Sequence, residues 1–263
     1  MIIVANYSDL AGRRALVTGA SSGIGLGIAE AFLAQGMRVA VHYRANRAGA
    51  DALCRRFPER AVAVEADLSA EAGCAQAVAR SVEALGGLEQ LVHSAGIWNE
   101  GAIATLDAAR VEAIFRVNVF AALYLVREAL PHLRADAARR GNVILIGSTA
   151  GQRGEPGHAH YAGSKGAVQS IVKSLALELA PQVRVNLISP GWVRTPMTEP
   201  DLAAIGPDLS ATLPNRRVGE VDDCAHAALY LASEASAHLI GQDLCVSGGA
   251  LHVVPRGQFR PIR

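Results

Sequence analysis

The residues with the clearest chemical potential are Tyr161 and Lys165, which lie four positions apart in the stretch Tyr161-Ala162-Gly163-Ser164-Lys165, with Ser148 thirteen positions before the tyrosine. A spacing of four on a helix places both side chains on one face, about one turn apart. A phenol has an ordinary pKa of about 10, and a neighbouring ammonium group lowers it. Such a tyrosine can exchange a proton with an alcohol oxygen, and the Ser148 hydroxyl can hydrogen-bond the same oxygen.

A glycine-rich turn near the start of the chain is the second candidate for chemistry. The segment Thr18-Gly19-Ala20-Ser21-Ser22-Gly23-Ile24-Gly25 follows a short apolar strand and opens a helical run that extends to Gln35. Glycines let the backbone approach a ligand, while the free N–H groups and the dipole of the helix favour a negative charge. The spacing is Gly-x3-Gly-x-Gly, which differs from the Gly-x-Gly-x-x-Gly of the common dinucleotide fingerprint. The strand-turn-helix context predicts a diphosphate site.

Together, these residues resemble the motifs of the short-chain dehydrogenase/reductase family. Further motifs occur in the expected order: Asp67-Leu68, His93-Ser94-Ala95-Gly96, Asn118, Pro190-Gly191 with Thr195, and Val246-Ser247-Gly248-Gly249. The resemblance implies a dinucleotide-dependent oxidoreductase whose catalytic residues are Asn118, Ser148, Tyr161 and Lys165. It also implies a set of cofactor contacts: Gly19, Ser21, Ser22, Gly23, Ile24, Gly25, Tyr43, Arg44, Asp67, Leu68, Ser94, Ala95, Gly96, Tyr161, Lys165, Pro190, Gly191, Val193 and Thr195.

Length and composition agree with an α/β enzyme. The 263 residues are compatible with a single domain over positions 1–263, and 51% of them are apolar, which is enough for a large core. A net charge of +1 gives no electrostatic case for nucleic acid or an anionic membrane. No stretch approaches the roughly eighteen uninterrupted apolar residues of a membrane span, and the first residues lack the pattern of a secretory signal.

The cysteines and the chain end give weaker indications. Without metal-ligand spacing, four scattered cysteines are expected to be reduced thiols in a cytoplasmic protein: Cys54, Cys74, Cys224 and Cys245. No metal site is predicted. The basic segment from Pro255 to Arg263 is predicted to be a flexible tail.

Strands and helices alternate regularly along the chain. The predicted strands are Arg14–Thr18, Arg38–His42, Ala61–Glu65, Gln90–Ser94, Asn142–Gly147, Arg184–Ser189 and Asp243–Val246. The predicted helices are Gly23–Gln35, Ala45–Phe57, Ala70–Leu85, Leu106–Ala138, Tyr161–Leu179 and Val221–Ser233, with Pro131 expected to kink or end the longest one. Continuously apolar strands and right-handed crossovers predict a Rossmann-like, doubly wound parallel sheet of about seven strands with helices on both faces.

Cofactor choice depends on the end of the second strand. Sheets that bind NAD often place an acid there to bond the ribose 2′-hydroxyl. By alignment with the family, Tyr43 occupies the acid position and Arg44 follows it. Because a guanidinium can form a charge-assisted bond to a 2′-phosphate, NADP(H) is favoured over NAD(H), with Arg47 as a second basic candidate.

The resemblance also implies a mechanism and an assembly. Tyr161 protonates a carbonyl oxygen that Ser148 also bonds, Lys165 lowers the tyrosine pKa and contacts the nicotinamide ribose, and Asn118 holds a water that reloads the proton. Family members pair through the catalytic helix and the preceding long one, so a homotetramer or homodimer is expected. The apolar face with Val168, Ile171, Val172 and Leu175 suits core packing or a dimer seam.

Substrate identity is left open by the sequence. The expected pocket walls are Ile97–Ala102, Thr149–His160 and Trp192–Arg217, the second of which is polar through Arg153, Glu155, His158 and His160. The layout resembles 3-oxoacyl carrier-protein reductases, but Leu177 stands where that group tends to carry an arginine, which argues against a carrier-protein partner. The favoured function is NADPH-dependent reduction of a small ketone. The alternatives are an NAD-dependent alcohol or sugar dehydrogenase and a non-catalytic dinucleotide sensor.

Overall fold

Seven parallel strands form the sheet in the computed structural model, which describes residues 6–136 and 139–251. The strands are β1 (Arg14–Thr18), β2 (Arg38–Tyr43), β3 (Ala61–Glu65), β4 (Gln90–His93), β5 (Gly141–Ile146), β6 (Val183–Pro190) and β7 (Asp243–Val246). Their order in the sheet is β3-β2-β1-β4-β5-β6-β7. The chain changes direction across the sheet between β1 and β4, and ligands of such sheets bind at this point, beyond the carboxyl ends of the strands.

Helices cover both faces of the sheet. They are α1 (Gly23–Ala34), α2 (Arg47–Arg56), α3 (Glu71–Leu85), α4 (Ala108–Phe115), α5 (Ala121–Leu133), α6 (Thr149–Arg153), α7 (Ala159–Leu179), α8 (Glu199–Thr212) and α9 (Val221–Ala232). Alternate strand residues feed two cores: Val17 and Val41 pack with α1, α2 and α9, whereas Leu16 and Ala40 pack with α3, α5 and α7. This arrangement confirms the predicted Rossmann-like α/β fold.

The longest predicted helix, Leu106–Ala138, is instead divided. Helix α4 ends at Phe115, a π-helical turn spans Arg116–Phe120, and α5 follows directly and ends at Leu133. Pro131 lies inside α5, two residues before its end, and its missing N–H removes one bond of the helical ladder. Single π turns often occur at functional sites, and this one contains Asn118.

Other differences from the predicted elements are small. The strand ends shift by one residue at most, and helices α6 and α8 were not predicted. Helix α8 begins beside a proline at its first turn, a position that proline favours. No helix among the described residues is long and apolar enough to cross a membrane. The predicted tail from Pro255 to Arg263 lies outside the described residues.

Candidate active site

The glycine turn between β1 and α1 lines a cavity. Gly19 has φ +66° and Gly23 has φ +55°, values that side-chain-bearing residues rarely adopt. A Cβ atom on Gly19 would lie 2.9 Å from the Cα atom of Ala95, so only glycine fits there. No side chain caps the N-terminus of α1, since Ser22 at the cap position makes no such bond. The first N–H groups of the helix therefore remain available to an anion.

A buried histidine, His42, braces this turn from the neighbouring strand. The Gly19 N–H donates to Nδ1 of His42 at 3.1 Å, so the proton of the ring is on Nε2, which donates to the Ala66 carbonyl at 3.2 Å. Burial lowers the pKa of His42 to about 4, and the ring is neutral at neutral pH. The histidine thus ties the ends of β1 and β3 together. Sequence reasoning missed it because both partners come from other segments.

Thr18 and His93 brace the same turn from the other side. The Thr18 hydroxyl accepts from the N–H groups of Ser94 and Ala95, each at 3.1 Å, and donates to Nδ1 of His93 at 2.9 Å. Burial lowers the pKa of His93 to about 3, so this ring is also neutral. Backbone groups and neutral side chains therefore brace the glycine turn on both sides.

At the end of β2, Tyr43 and Arg44 point to different surroundings. The Tyr43 hydroxyl donates to Glu65 on the neighbouring strand at 3.0 Å, and its ring is buried in the core. Arg44 is exposed, and its guanidinium has no hydrogen bond or ion pair with the described residues. The position expected to meet the ribose is thus held by a buried ring, while a free cation stands next to it.

Two polar residues complete this end of the cavity. Asn46 donates to the Ser21 carbonyl at 2.8 Å and caps α2 by accepting from the Gly49 N–H. Asp67 accepts from the Ser69 N–H at 2.9 Å, and hydrogen bonding to Ser69 holds the pKa of the Asp67 carboxyl below its ordinary value. Asn46 was not predicted, although an asparagine before a helix is a known capping signal.

A cavity of about 380 Å³ joins these elements to the catalytic candidates. All nineteen residues that the sequence assigns to the cofactor line it, as do three of the four catalytic candidates. Lining residues that sequence reasoning missed include His42, Asn46, Val117 and Gly147, whereas Ile97 and Met197 belong to segments expected to form the substrate pocket. The uncapped helix end, the glycine turn and the free guanidinium suit a dinucleotide that extends from Arg44 to Lys165.

Lys165 lies one helical turn after Tyr161 and is buried beneath it. Its ammonium nitrogen is 5.9 Å from the centre of the Tyr161 ring and donates to the Ile146 carbonyl at 2.8 Å. Desolvation lowers the pKa of Lys165 to about 8. An ammonium group has three donors, so this one retains donors for a ligand.

The phenol of Tyr161 differs from the sequence-based expectation. Burial has the largest effect and raises its pKa above the ordinary value, hydrogen bonding to Ser148 opposes that shift, and the charge of Glu155 adds to it. The net shift is therefore opposite to the predicted lowering, and Lys165 is not among its causes. Tyr161 therefore keeps its proton at neutral pH, as a proton donor must.

Ser148 and Asn118 take different places around this pair. Ser148 caps α6, and its hydroxyl oxygen accepts from the Ala150 N–H at 3.1 Å at the border of the cavity. Asn118 does not line the cavity: its amide donates to the Ile97 carbonyl at 3.0 Å and to the Ser164 hydroxyl at 3.1 Å, and accepts from the Ile97 N–H at 2.9 Å. Asn118 thereby joins the loop after β4 to the catalytic helix.

A second cavity of about 260 Å³ adjoins the first and shares Ser148 and Tyr161 with it. All three segments expected to form the substrate pocket contribute to it, although His160 is instead buried against Asn99. Trp98 stacks on His158 with ring centres 4.9 Å apart and meets Trp192 edge-on at 6.4 Å. The proton-donor candidate thus sits where two cavities meet.

Comparisons with known proteins agree with this geometry. The family described as enoyl-(acyl carrier protein) reductase matches residues 19–251. An uncharacterized oxidoreductase of Methylorubrum extorquens is 37% identical over 250 residues, which cover 92% of this chain and 99% of the relative. The L-fucose dehydrogenase of Bos taurus is 36% identical over 253 residues, covering 91% of this chain and 90% of the relative.

A solved structure adds the fold to these similarities. The crystal structure of a 3-ketoacyl-(acyl-carrier-protein) reductase from Brucella melitensis complexed with NADH has a TM-score of 0.86 and 32% identity, and the match covers 92% of this chain and 99% of that one. These relatives bear the names of oxidoreductases, dehydrogenases and reductases. Because the matches span nearly the whole chain and its parallel sheet, the protein belongs to the short-chain dehydrogenase/reductase family.

Proposed function

We propose that this protein reduces the carbonyl group of a small molecule to an alcohol with NADPH, and that Tyr161 is the proton donor. One observation carries the proposal: Ser148 and Tyr161 stand at the junction of two cavities, with Lys165 buried beneath the phenol. One cavity has the anion-accepting helix end that a dinucleotide needs. The other has the size and walls of a substrate pocket.

Each residue has a separate part in the reaction. When bound, the nicotinamide supplies the hydride that forms the new C–H bond. The Ser148 hydroxyl hydrogen-bonds the carbonyl oxygen, and Tyr161 gives its proton to that oxygen as negative charge develops there. A phenol whose pKa is raised by burial stays protonated until a stronger base, the alkoxide, forms. Lys165 then stabilises the phenolate that remains.

The proton of Tyr161 must be restored after each turnover. With a pKa of about 8, Lys165 can release and regain a proton near neutral pH. Gly96 leaves the space between Lys165 and Asn118 open, because a Cβ there would lie 3.2 Å from the Asn118 oxygen and 3.7 Å from the lysine nitrogen. We infer that Asn118 positions a water in this region as the entry point for the proton.

Preference for NADPH rests on Arg44. Its exposed guanidinium lines the cavity without a hydrogen bond or ion pair to the residues that the structure describes, and a 2′-phosphate would supply such a partner. Replacing Arg44 by alanine should weaken NADPH binding roughly ten- to hundredfold, because a charged hydrogen bond contributes about 1.5–3 kcal/mol. NADH binding should stay nearly constant. Fluorescence titration of both nucleotides measures this, with Arg55→Ala, an exposed change on α2 outside the cavity, as the matched control.

Equal losses for both nucleotides in Arg44→Ala, or a wild type that prefers NADH, would contradict the cofactor proposal. The catalytic assignment would survive, since it depends on other residues. That outcome would favour the second candidate, an NAD-dependent alcohol or sugar dehydrogenase working in the oxidative direction. The similarity to an L-fucose dehydrogenase and to a reductase crystallised with NADH supports this alternative. A non-catalytic sensor would have no use for Ser148, Tyr161 and Lys165 together.

Assembly into a homodimer or homotetramer in the cytoplasm completes the proposal. Of the face expected to suit core packing or a dimer seam, Val168 and Val172 are packed in the core. Leu177 on α7 is 84% exposed, and two further apolar side chains are exposed near α5: Phe120 and Leu123. These faces support pairing through the two helices. Sedimentation of Leu177→Glu beside wild type tests this, and an unchanged oligomer would exclude the α7 face.

The function itself is tested by following NADPH oxidation at 340 nm against a panel of ketones and aldehydes. At least one carbonyl compound should be reduced, with the alcohol identified as product. Wild-type protein that binds NADPH but reduces no member of a broad panel would contradict the proposal. Co-purified nucleotide, identified by mass spectrometry, gives an independent reading of the cofactor.

A further inference from the structure

The substrate cavity is small and has definite walls. Its volume of about 260 Å³ lies below the roughly 300–1,000 Å³ of sites for drug-sized ligands. It is formed by loops after β4, β5 and β6 and by the start of α8. This volume favours a molecule of a few carbon atoms up to a single ring over a long acyl chain or a fused polycycle.

The charged residues of this cavity leave two carboxylates free. The Arg153 guanidinium is already bound to Glu155 at 2.7 Å. Glu100 and Asp201 also line the cavity, and neither carboxylate has a hydrogen bond or ion pair with any residue that the structure describes. Two unpaired negative charges repel an anionic substrate. Ionised carboxylates are also strong acceptors for hydroxyl groups.

The other residues that line the cavity include apolar and aromatic side chains. Trp192 lies edge-on to Trp98, whose other contact is the parallel ring of His158. Met197 and Ile205 lie on the helix side of the same cavity. Such surfaces favour the C–H faces of a ligand rather than its polar groups. The cavity thus combines hydroxyl acceptors with aromatic walls, in a space next to Tyr161.

From this combination, and resting on the carbonyl chemistry proposed above, we propose that the substrate is a small, uncharged, polyhydroxylated compound. Its reacting carbon lies at Tyr161, its further hydroxyl groups donate to Glu100 and Asp201, and its C–H face packs on the tryptophans. Phosphorylated sugars, acyl thioesters of acidic carriers and unsubstituted apolar ketones fit these walls less well.

Intrinsic fluorescence tests this directly, since the two tryptophans of the chain both line the cavity. Protein saturated with NADP⁺ is titrated with neutral pentoses and hexoses, each paired with its phosphate ester, and with cyclohexanol as the apolar probe. At least one neutral sugar should change the emission saturably and bind roughly tenfold more tightly than its phosphate ester. The proposal would be overturned if a phosphate ester or cyclohexanol bound more tightly than every sugar. It would also be overturned if no sugar gave a saturable response.

Substitutions of the two cavity carboxylates test whether they contact the bound sugar. Asp201→Asn and Glu100→Gln should each weaken the bound sugar roughly tenfold, the size of one charged hydrogen bond, and reduce discrimination against its phosphate ester. Glu112→Gln, an exposed carboxylate on α4 outside the cavity, should change neither value. Unchanged sugar binding in both cavity variants would also overturn the proposal. Failure of the function itself is distinguishable, because it would abolish NADPH oxidation with every carbonyl compound while the fluorescence response remained.

Discussion

Two buried cations, Lys165 and Arg184, lie near opposite ends of the sheet, and their surroundings differ sharply. Arg184, at the amino end of β6, donates to four oxygens: the carbonyls of Leu231, Ser233 and Ser236 and the Ser236 hydroxyl. Lys165, beyond the carboxyl end of β5, donates to the single carbonyl of Ile146 among the described residues. Desolvation lowers the pKa of both, to about 10 for Arg184 and about 8 for Lys165.

From this difference we infer that Arg184 is a structural cation and Lys165 a functional one. A buried cation is costly unless hydrogen bonds satisfy its donors. Arg184 is satisfied by the protein itself, so it holds the loop after α9 against the sheet. Lys165 lies at the wall of the cavity, and some of its N–H donors have no partner among the described residues. The free-energy cost of burying its charge is therefore offset only when a ligand binds. We infer that the protein tolerates this loss of stability because Lys165 takes part in the reaction.

Replacing Lys165 by methionine should have the largest effect on turnover of the changes considered for these two cations. Turnover should fall at least about a hundredfold, because the phenolate of Tyr161 loses its stabilising charge, and NADPH should bind more weakly. The unfolding free energy should hold or rise, since a poorly satisfied buried cation is removed. Steady-state kinetics and urea denaturation measure the two effects. Lys173→Met, an exposed change on the same helix, is the control, and a large loss of stability in Lys165→Met would count against the account.

The opposite result is expected for Arg184→Met. Removing the guanidinium leaves several buried carbonyl oxygens without a donor, which should cost about 3 kcal/mol of unfolding free energy. Turnover per folded molecule should be unchanged because the residue is far from both cavities. Urea denaturation beside an activity assay checks this, with the exposed Arg116→Met as the control. Reduced turnover with unchanged unfolding free energy would show that Arg184 contributes to the reaction rather than to stability.

A pH titration of stability gives the smallest of these effects. Lys165 has a pKa of about 8 in the folded protein and an ordinary value of 10.5, so the unfolded chain binds more protons between those values. Stability contributed by this group therefore rises with pH, by about 1.4 kcal/mol between pH 7 and pH 9. The difference between wild type and Lys165→Met, measured by urea denaturation across this range, isolates the lysine. A flat difference would contradict its lowered pKa.

Much of the fold could be predicted because its signals are local. Apolar runs such as Val143–Ile146 and a glycine turn before a helix specify strands and a phosphate site on their own. The spacing of Tyr161 and Lys165 likewise requires only a helix. All residues assigned to the cofactor line one cavity, since they lie at the carboxyl ends of parallel strands.

What could not be predicted depends on contacts between distant segments. The π turn contains Asn118, whose side-chain amide donates hydrogen bonds to Ile97 and Ser164, 21 and 46 positions away. The role of His42 requires partners at the ends of β1 and β3. The raised pKa of Tyr161 reflects burial that only the assembled site produces, so a rule based on its nearest charge gave the wrong sign.

We propose that Tyr161 donates the proton to the carbonyl oxygen, and a single-turnover experiment measures the step that depends on this donation. Tyr161→Phe, saturated with NADPH, is mixed with a carbonyl compound that wild type reduces, and hydride transfer is followed at 340 nm. The rate should fall by about 10²–10⁴-fold while NADPH affinity and unfolding free energy stay close to those of wild type. Hydride transfer within a few-fold of the wild-type rate, with NADPH bound, would contradict the account.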